Sequence, residues 1–210
     1  IDYASRLAYR AGASRIAQLA AFGKRRVGRV LIDPNSSFAE SMRSISSGPW
    51  SAWQLYRFTM PTFLPVFPLL HAVKPTGPIL EFGCGVGHAA FLLSRMGDSG
   101  RLTCTDYSFS TLYVARKYFV PSANFVCLDG DYLLPFSDQY FSTILSSDTL
   151  HCVDSKLSLS REFARILAPD GAIVLPHLHN GLSKIRFRKA MAPMAYGNLF
   201  RDWCYRVVPE

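Results

Sequence analysis

The chain has 210 residues, of which 49% are hydrophobic and 18% charged, so one sizeable core is expected and a disordered chain is excluded. Its net charge of +8 divides into +6 over residues 1–60, −2 over 61–180 and +4 over 181–210. Basic ends of this kind favour an anionic substrate, nucleic acid or anionic lipid as a partner, or they form a solvated basic face. No apolar run reaches the roughly 18 residues that a membrane-spanning helix needs.

Residues 1–75 predict helices and loops ahead of the main domain. We expect a basic amphipathic helix over 5–21, and a loop rich in Ser, Asn, Gly and Pro with a short helix over 33–49. Residues 50–73 are aromatic and apolar, and two prolines follow them. Because proline clusters often mark boundaries, we divide the chain there into 1–75 and 76–210.

Short apolar runs and amphipathic stretches alternate from residue 79 onward. This alternation predicts a doubly wound, Rossmann-like α/β fold, in which a mostly parallel sheet carries helices on both faces. The predicted strands cover 79–82, 101–105, 123–128, 141–146 and 172–175. The predicted helices lie at roughly 88–96, 108–119 and 155–168.

A predicted strand leads into an acid and three glycines at alternate positions. This run, residues 79–88, reads Ile-Leu-Glu-Phe-Gly-Cys-Gly-Val-Gly-His. The glycines predict a tight turn, in which the backbone takes positive φ and a nucleotide-like ligand approaches closely. An acid before the first glycine favours recognition of a ribose or an amino acid over a pyrophosphate. A dinucleotide fingerprint needs a small residue where His88 stands, so binding of NAD(P) is the weaker alternative.

Acidic residues stand at the carboxyl ends of the next predicted strands, at the edge where doubly wound sheets bind ligands. Asp106 follows the second strand at a spacing that suits the two hydroxyls of a ribose. Asp129 follows the third, where it would accept from an adenine amine, and Ser146-Ser147-Asp148 follow the fourth. Packing alone does not explain these acids, since a buried carboxylate is costly without donors.

Four motifs in this order resemble those of class I S-adenosylmethionine-dependent methyltransferases, in the small-molecule branch of the type 11 kind. The first is the acid and glycine turn at 81–87. The others are Leu-Pro-Phe at 134–136 with Phe141, Leu-His-Cys-Val at 150–153, and Arg-Glu-Phe-Ala-Arg-Ile-Leu-Ala-Pro-Asp-Gly at 161–171. The resemblance implies an enzyme that uses S-adenosylmethionine to methylate a small, apolar or aromatic acceptor.

The resemblance also implies a set of cofactor-binding residues. Asp106 would hold the ribose, with Tyr107 beside the adenine. Asp129 would take the adenine amine, with Asp131 as a competitor because one residue is inserted here relative to the usual spacing. Ser146 would line the pocket near the sulfonium, and the acid and glycine turn would face the methionine part. The whole set is Glu81, Gly83, Cys84, Gly85, Gly87, Asp106, Tyr107, Asp129, Gly130 and Ser146.

Three histidines are candidates for catalysis. Methyl transfer is an in-line displacement, so a general base helps only when the acceptor must lose a proton. His151, after the fourth strand, is the first candidate for this base, and the alternative is a structural role in its loop. His177 and His179 follow the fifth strand and are further candidates. They also suggest a metal pair, but the sequence places no third ligand, so no metal is predicted.

The acceptor stays open within small molecules. The loop after the fourth strand lacks Asn-Pro-Pro-Tyr and Pro-Cys, which disfavours amino-group methylation of adenine or glutamine and methylation of cytosine C5. By the resemblance, residues 1–75 form a cap over the acceptor site, and their basic helix is a candidate for peripheral contact with a membrane. Nucleic acid is not an expected partner, although an RNA-directed methyltransferase is the alternative that the charge favours.

The ends of the chain raise a second alternative. The family's sheet finishes with two further strands after the fifth, whereas here only 205–208 is strand-like in that region. We therefore expect a truncated sheet or part of a longer chain, and Ile1 in place of a methionine fits a processed chain as well. The first 30 residues weakly resemble a transit peptide. A non-catalytic cofactor-binding or interaction domain is the corresponding rival function.

The cysteines show neither a disulfide framework nor a Cys-x-x-Cys pair. Most of them lie in apolar, strand-like runs, which indicates buried free thiols in a reducing compartment, and we expect the cytoplasm. The five are Cys84, Cys104, Cys127, Cys152 and Cys204.

Overall fold

The computed structural model describes residues 35–45, 49–96, 99–183 and 189–201. The predicted basic helix at 5–21, the strand-like run at 205–208 and Cys204 lie outside these described residues. Within them, no helix combines the length and the apolar character needed to cross a membrane.

Within the described residues, three helices and a 3₁₀ turn precede the sheet. They are α1 (Phe38–Ile45), α2 (Pro49–Leu55), the 3₁₀ turn Arg57–Thr59 and α3 (Val66–Val73). A capping box starts α1, because the Ser37 hydroxyl accepts from the Glu40 amide at 3.3 Å and the Glu40 carboxylate accepts from the Ser37 amide at 2.8 Å. The short helix predicted within 33–49 is therefore confirmed.

Five parallel strands form one sheet in the order β3-β2-β1-β4-β5. The strands are β1 (Ile79–Phe82), β2 (Leu102–Asp106), β3 (Asn124–Cys127), β4 (Phe141–Leu145) and β5 (Leu167–Val174). The helices that follow them are α4 (His88–Met96), α5 (Phe109–Tyr118), α6 (Lys156–Ile166) and α7 (Pro193–Leu199). The predicted doubly wound α/β fold is confirmed. The strand order reverses between β1 and β4, which places a ligand crevice at their carboxyl ends.

The start of the fifth strand differs from the predicted one. We predicted helix to 168 and strand from 172, whereas α6 ends at Ile166 and β5 begins at Leu167. Pro169 disfavours helical geometry in the residue before it, so the helix ends early. The register with β4 then shifts across Pro169–Gly171, because proline cannot donate a ladder hydrogen bond.

Both faces of the sheet are buried, as parallel sheets require. Successive β1 side chains point to opposite faces, so Ile79 joins one core and Leu80 the other. The first core takes side chains from α3, α4 and α5, among them Leu70, Leu93 and Leu112. The second takes side chains from α6 and α7, among them Phe163 and Tyr196. Residues before the sheet thus share a core with it.

Two of the motifs that carry the family resemblance are joined by Arg165. Its guanidinium donates to the carbonyls of Leu134 and Phe136 at 3.0 and 2.8 Å. It also donates to Glu162 and Asp138, and these partners raise the pKa of Arg165. Arg165 therefore fastens the Leu-Pro-Phe loop to α6.

Replacing Arg165 with alanine is expected to lower the free energy of unfolding by about 2–3 kcal/mol, because two loop carbonyls and two carboxylates lose a charged donor. Arg165→Lys keeps the charge but not the forked geometry, so an intermediate loss is expected. Urea denaturation measures both. Arg161→Ala, at an exposed position of the same helix, is the matched control and should cost less than about 0.5 kcal/mol. Equal losses in the two alanine variants would contradict the assignment.

Candidate functional site

The glycine turn between β1 and α4 has the predicted conformation. Gly83, Gly85 and Gly87 take φ values of 73°, 55° and 93°, a region that glycine enters without steric cost. The Cys84 amide donates to the Thr105 carbonyl at 2.8 Å, and the Gly87 amide donates to the Cys84 carbonyl at 2.9 Å. These bonds hold the turn at the carboxyl edge of β1 and β2.

Two glycines at the site leave no room for a Cβ atom. A Cβ on Gly83 would lie 2.1 Å from the Thr149 methyl, and the Thr149 hydroxyl donates to the Gly83 carbonyl at 3.0 Å. A Cβ on Gly130 would lie 2.4 Å from the ring of Phe82. At both positions glycine is therefore required by the packing of a neighbouring side chain.

Asp106 holds the turn from the end of β2. Its carboxylate accepts from the Gly85 amide at 3.0 Å and from the Ser108 amide at 2.8 Å. Burial raises the pKa of Asp106 in spite of these donors. The side chain thus orients the glycine turn and presents a carboxylate at the same edge.

A cavity of about 310 Å³ opens at this edge of the sheet. Half of the predicted cofactor-binding residues line it, namely Gly83, Asp106, Tyr107, Asp129 and Gly130. The other five predicted cofactor-binding residues do not line the cavity. They are Glu81, Cys84, Gly85, Gly87 and Ser146. The wall also contains Phe82, Thr149, Cys152 and Lys189, which the sequence did not single out for binding.

The structure distinguishes Asp129 from its competitor Asp131, although both border the cavity. Asp131 accepts from the amides of Asp154 and Ser155, each at 2.7 Å, at the start of α6. Its carboxylate is therefore occupied with fixing that loop. Asp129 accepts from the Asp131 amide at 3.1 Å. This geometry favours Asp129 for ligand contact.

Two buried polar side chains, those of Glu81 and Ser146, are close in sequence to residues of the cavity wall but do not line it. Glu81 and Ser146 each have a buried side-chain oxygen without a hydrogen-bond partner among the described residues. Burial, and then the charge of Asp106, raise the pKa of Glu81 to about 8. Such orphaned atoms are costly, and a polar ligand beside them would reduce that cost.

A cluster that we call the histidine cluster, made of Asp148, His151, His177 and His179, adjoins the cavity. Asp148 has a φ of 55° and accepts from His177 Nδ1, while His179 Nε2 lies 3.3 Å from the same oxygen, Oδ1. The rings of His151 and His179 meet edge to face at 4.2 Å. All three predicted catalytic histidines are thus brought together. Burial and neighbouring charge lower the pKa of His151 to about 4.

Arg57 joins the segment before the sheet to this cluster. Its guanidinium donates to the second oxygen of Asp148, and to Thr62 at 2.7 Å. It also stacks over the Trp53 ring at 4.4 Å. Burial lowers the pKa of Arg57, and the charge of Asp148 opposes that effect.

Sequence reasoning gave no role to Arg57, Asp148 or Thr149. The position of Asp148 just after a predicted strand could have indicated a functional role. Arg57 and Thr149 gave no such indication, because their partners are far away in the chain.

The His88 side chain packs among aromatic residues and does not line the cavity. It is 4% exposed, and its ring lies 4.7 Å from that of Phe58 and 5.2 Å from that of Phe119. Burial lowers its pKa to about 4. A bulky side chain therefore fills the position where a dinucleotide fingerprint needs a small residue.

Comparison with known proteins identifies a methyltransferase domain in the chain. Residues 80–175 match a family model described as a methyltransferase domain. A mitochondrial arginine hydroxylase of Danio rerio is 33% identical over 106 residues, which is 50% of this chain and 32% of that protein. A 2-phytyl-1,4-naphthoquinone methyltransferase of Synechococcus elongatus is 30% identical over 119 residues, 54% of this chain and 51% of that one. The chain thus spans a third to a half of these relatives.

Solved structures agree in fold. A Haloferax volcanii methyltransferase, solved with the Trm112 methyltransferase activator, superposes with a TM-score of 0.61 at 18% identity, covering 80% of this chain and 76% of that one. The family match covers the glycine turn, the acidic strand ends and every residue of the cavity wall except Lys189. Residues 80–175 therefore form a methyltransferase domain of the class I S-adenosylmethionine-dependent kind, whose cofactor is S-adenosylmethionine.

Proposed function

We propose that this chain transfers the methyl group of S-adenosylmethionine to a small, apolar or aromatic acceptor, of which a quinol-like ring is the first candidate. The naphthoquinone methyltransferase among the relatives supports this acceptor class. We also propose a cytoplasmic location, which the free thiols of the described cysteines support.

The contact between Arg57 and Asp148 is the observation that carries the proposal. It draws the segment before the sheet across the carboxyl end of β4, beside the cofactor cavity. Gln54 of α2 supports the same placement, because its amide nitrogen lies 3.5 Å from where a Cβ on Gly85 would be. Trp53 then contributes an aromatic face next to Arg57. We propose that the aromatic acceptor binds beside these residues.

The described residues fit the cofactor. Asp106 would hold the ribose and Asp129 the adenine amine, while Gly83 and Gly130 would contribute backbone to the cofactor pocket. Glu81 would face the methionine part of the cofactor, as the resemblance to the family implies. S-adenosylmethionine supplies an activated methyl group, and the chain supplies alignment and a site shielded from water.

A methyl-transfer assay with Asp106→Ala tests this proposal. Labelled S-adenosylmethionine is incubated with a naphthoquinol that has a free ring position, with a simple phenol, and with an RNA oligonucleotide. We expect label in the quinol or the phenol, and at least about a 100-fold weaker cofactor affinity in Asp106→Ala, because the ribose and the Gly85 amide both lose an acceptor. Calorimetry measures the affinity, and circular dichroism checks the fold of the variant.

Each of the other outcomes would favour an alternative function or overturn a residue assignment. Cofactor binding without transfer to any small acceptor would favour the non-catalytic domain. Label in the RNA, with a steep salt dependence of RNA affinity, would favour the RNA-directed alternative. Cofactor binding that Asp106→Ala leaves unchanged would overturn the ribose assignment.

A further inference from the structure

Three potential metal ligands converge at the carboxyl ends of β4 and β5. One ligand atom each from Asp148, His177 and His179 lies within 4.8 Å of the other two. The side chains are largely buried, with 9%, 12% and 24% of their surface exposed. His177 and His179 are two residues apart in the segment that leaves β5, and Asp148 comes from the loop after β4.

One of the three separations between these atoms already matches the spacing around a small divalent ion. In a tetrahedral site with metal–ligand bonds of about 2.0–2.1 Å, neighbouring ligand atoms are about 3.3–3.4 Å apart. His179 Nε2 and Asp148 Oδ1 are 3.3 Å apart already. His177 Nδ1 is closer to that oxygen because it is hydrogen-bonded to it, so this pair has to open slightly around an ion. Both imidazoles stay neutral as ligands if His177 carries its proton on Nε2 and His179 on Nδ1.

Arg57 orients the carboxylate as an outer-shell partner would. It binds Oδ2 of Asp148, which leaves Oδ1 facing both histidines. Hydrogen-bonded carboxylates of this kind are usual around bound metals. The charge of Arg57 opposes a cation, so the affinity should be moderate.

We propose that Asp148, His177 and His179 bind a divalent transition-metal ion of the Zn²⁺ type. Three protein ligands from two imidazoles and one carboxylate leave at least one position for an exogenous ligand, as in catalytic metal sites. We propose that a hydroxyl of the acceptor fills that position, and this part of the inference rests on the proposed function. Coordination would lower the pKa of such a hydroxyl, so that its proton passes to water. The resulting oxyanion, or the ring carbon that it makes electron-rich, would then attack the methyl carbon as the bond from that carbon to sulfur breaks and S-adenosylhomocysteine leaves.

Metal binding is tested on the whole chain without cofactor or acceptor. Chelator-treated protein is titrated with Co²⁺, followed by visible absorption, and with Zn²⁺, followed by calorimetry. We expect one ion per chain, and an affinity at least about 100-fold weaker in His177→Ala and in His179→Gln. His71→Gln, an exposed histidine on α3, is the control and should bind like the parent chain.

Circular dichroism and thermal unfolding show whether each variant folds. Failure to bind Co²⁺ or Zn²⁺ at one equivalent, or binding that survives both histidine substitutions in folded protein, would overturn the metal site. These titrations do not depend on methyl transfer. A chain that binds the ion at these residues and methylates no acceptor would therefore refute the proposed function and leave the metal site intact.

Discussion

Gly83→Ala is expected to weaken binding of S-adenosylmethionine by at least about 100-fold, or about 2.7 kcal/mol. A positive φ of 73° costs an alanine about 1–2 kcal/mol. The new Cβ would also lie 2.1 Å from the Thr149 methyl and 2.4 Å from its hydroxyl. Because the clash involves a side chain packed against the turn, either the turn or the loop after β4 must move. Calorimetric titration of the cofactor measures the loss.

A double variant separates the clash from the backbone strain. Thr149→Gly removes the atoms that a Cβ on Gly83 would meet, so Gly83→Ala combined with it should regain part of the lost stability. Cofactor affinity should stay low, because the strained φ remains. Gly100→Ala, at an exposed position before β2, is the control and should bind normally. A folded Gly83→Ala variant that binds the cofactor within about threefold of the parent chain would contradict the role of the turn.

Local patterns were sufficient to predict the fold and the edge where the cavity lies. Short apolar runs alternate with amphipathic stretches, which predicts parallel strands joined by helices. Three alternate glycines predict positive φ, and the acids after β2 and β3 mark the carboxyl ends of those strands. Asp106 and Asp129 border the cavity for this reason. These features depend on neighbours in the sequence, so a single chain reveals them.

Side-chain pairs between distant segments could not be predicted in the same way. Arg57 meets Asp148 across 91 positions, and the Thr149 hydroxyl meets the Gly83 carbonyl across 66. No periodicity connects such residues, because the contacts arise only after the sheet and the segment before it have packed. The sequence showed His177 and His179 as a pair, and only packing brings Asp148 beside them.

The contribution of Glu81 to the stability of the cofactor-free chain is expected to fall as the pH rises from about 4.5 to about 8, and Glu81→Gln should remove this contribution. Burial and the charge of Asp106 raise the pKa of Glu81 from 4.5 to about 8 in the folded state. The folded chain then holds a proton that the unfolded chain releases above pH 4.5. The contribution is therefore complete below pH 4.5, and it is lost as the pH rises through the folded pKa. A shift of this size corresponds to at most about 5 kcal/mol.

The difference between Glu81→Gln and the parent chain isolates Glu81 and its coupling to Asp106, because the titration of residues that do not interact with Glu81 cancels in it. Urea denaturation from pH 4 to pH 9 should show the variant gaining stability relative to the parent chain as the pH rises. Glu40→Gln, at an exposed position of α1, is the control, and its difference should not grow in that direction, since hydrogen bonds to Ser37 lower the pKa of Glu40. A pH-independent difference for Glu81→Gln would mean that Glu81 is ionised in the folded chain. The unpaired buried oxygen would then need a cation beside it even without the cofactor.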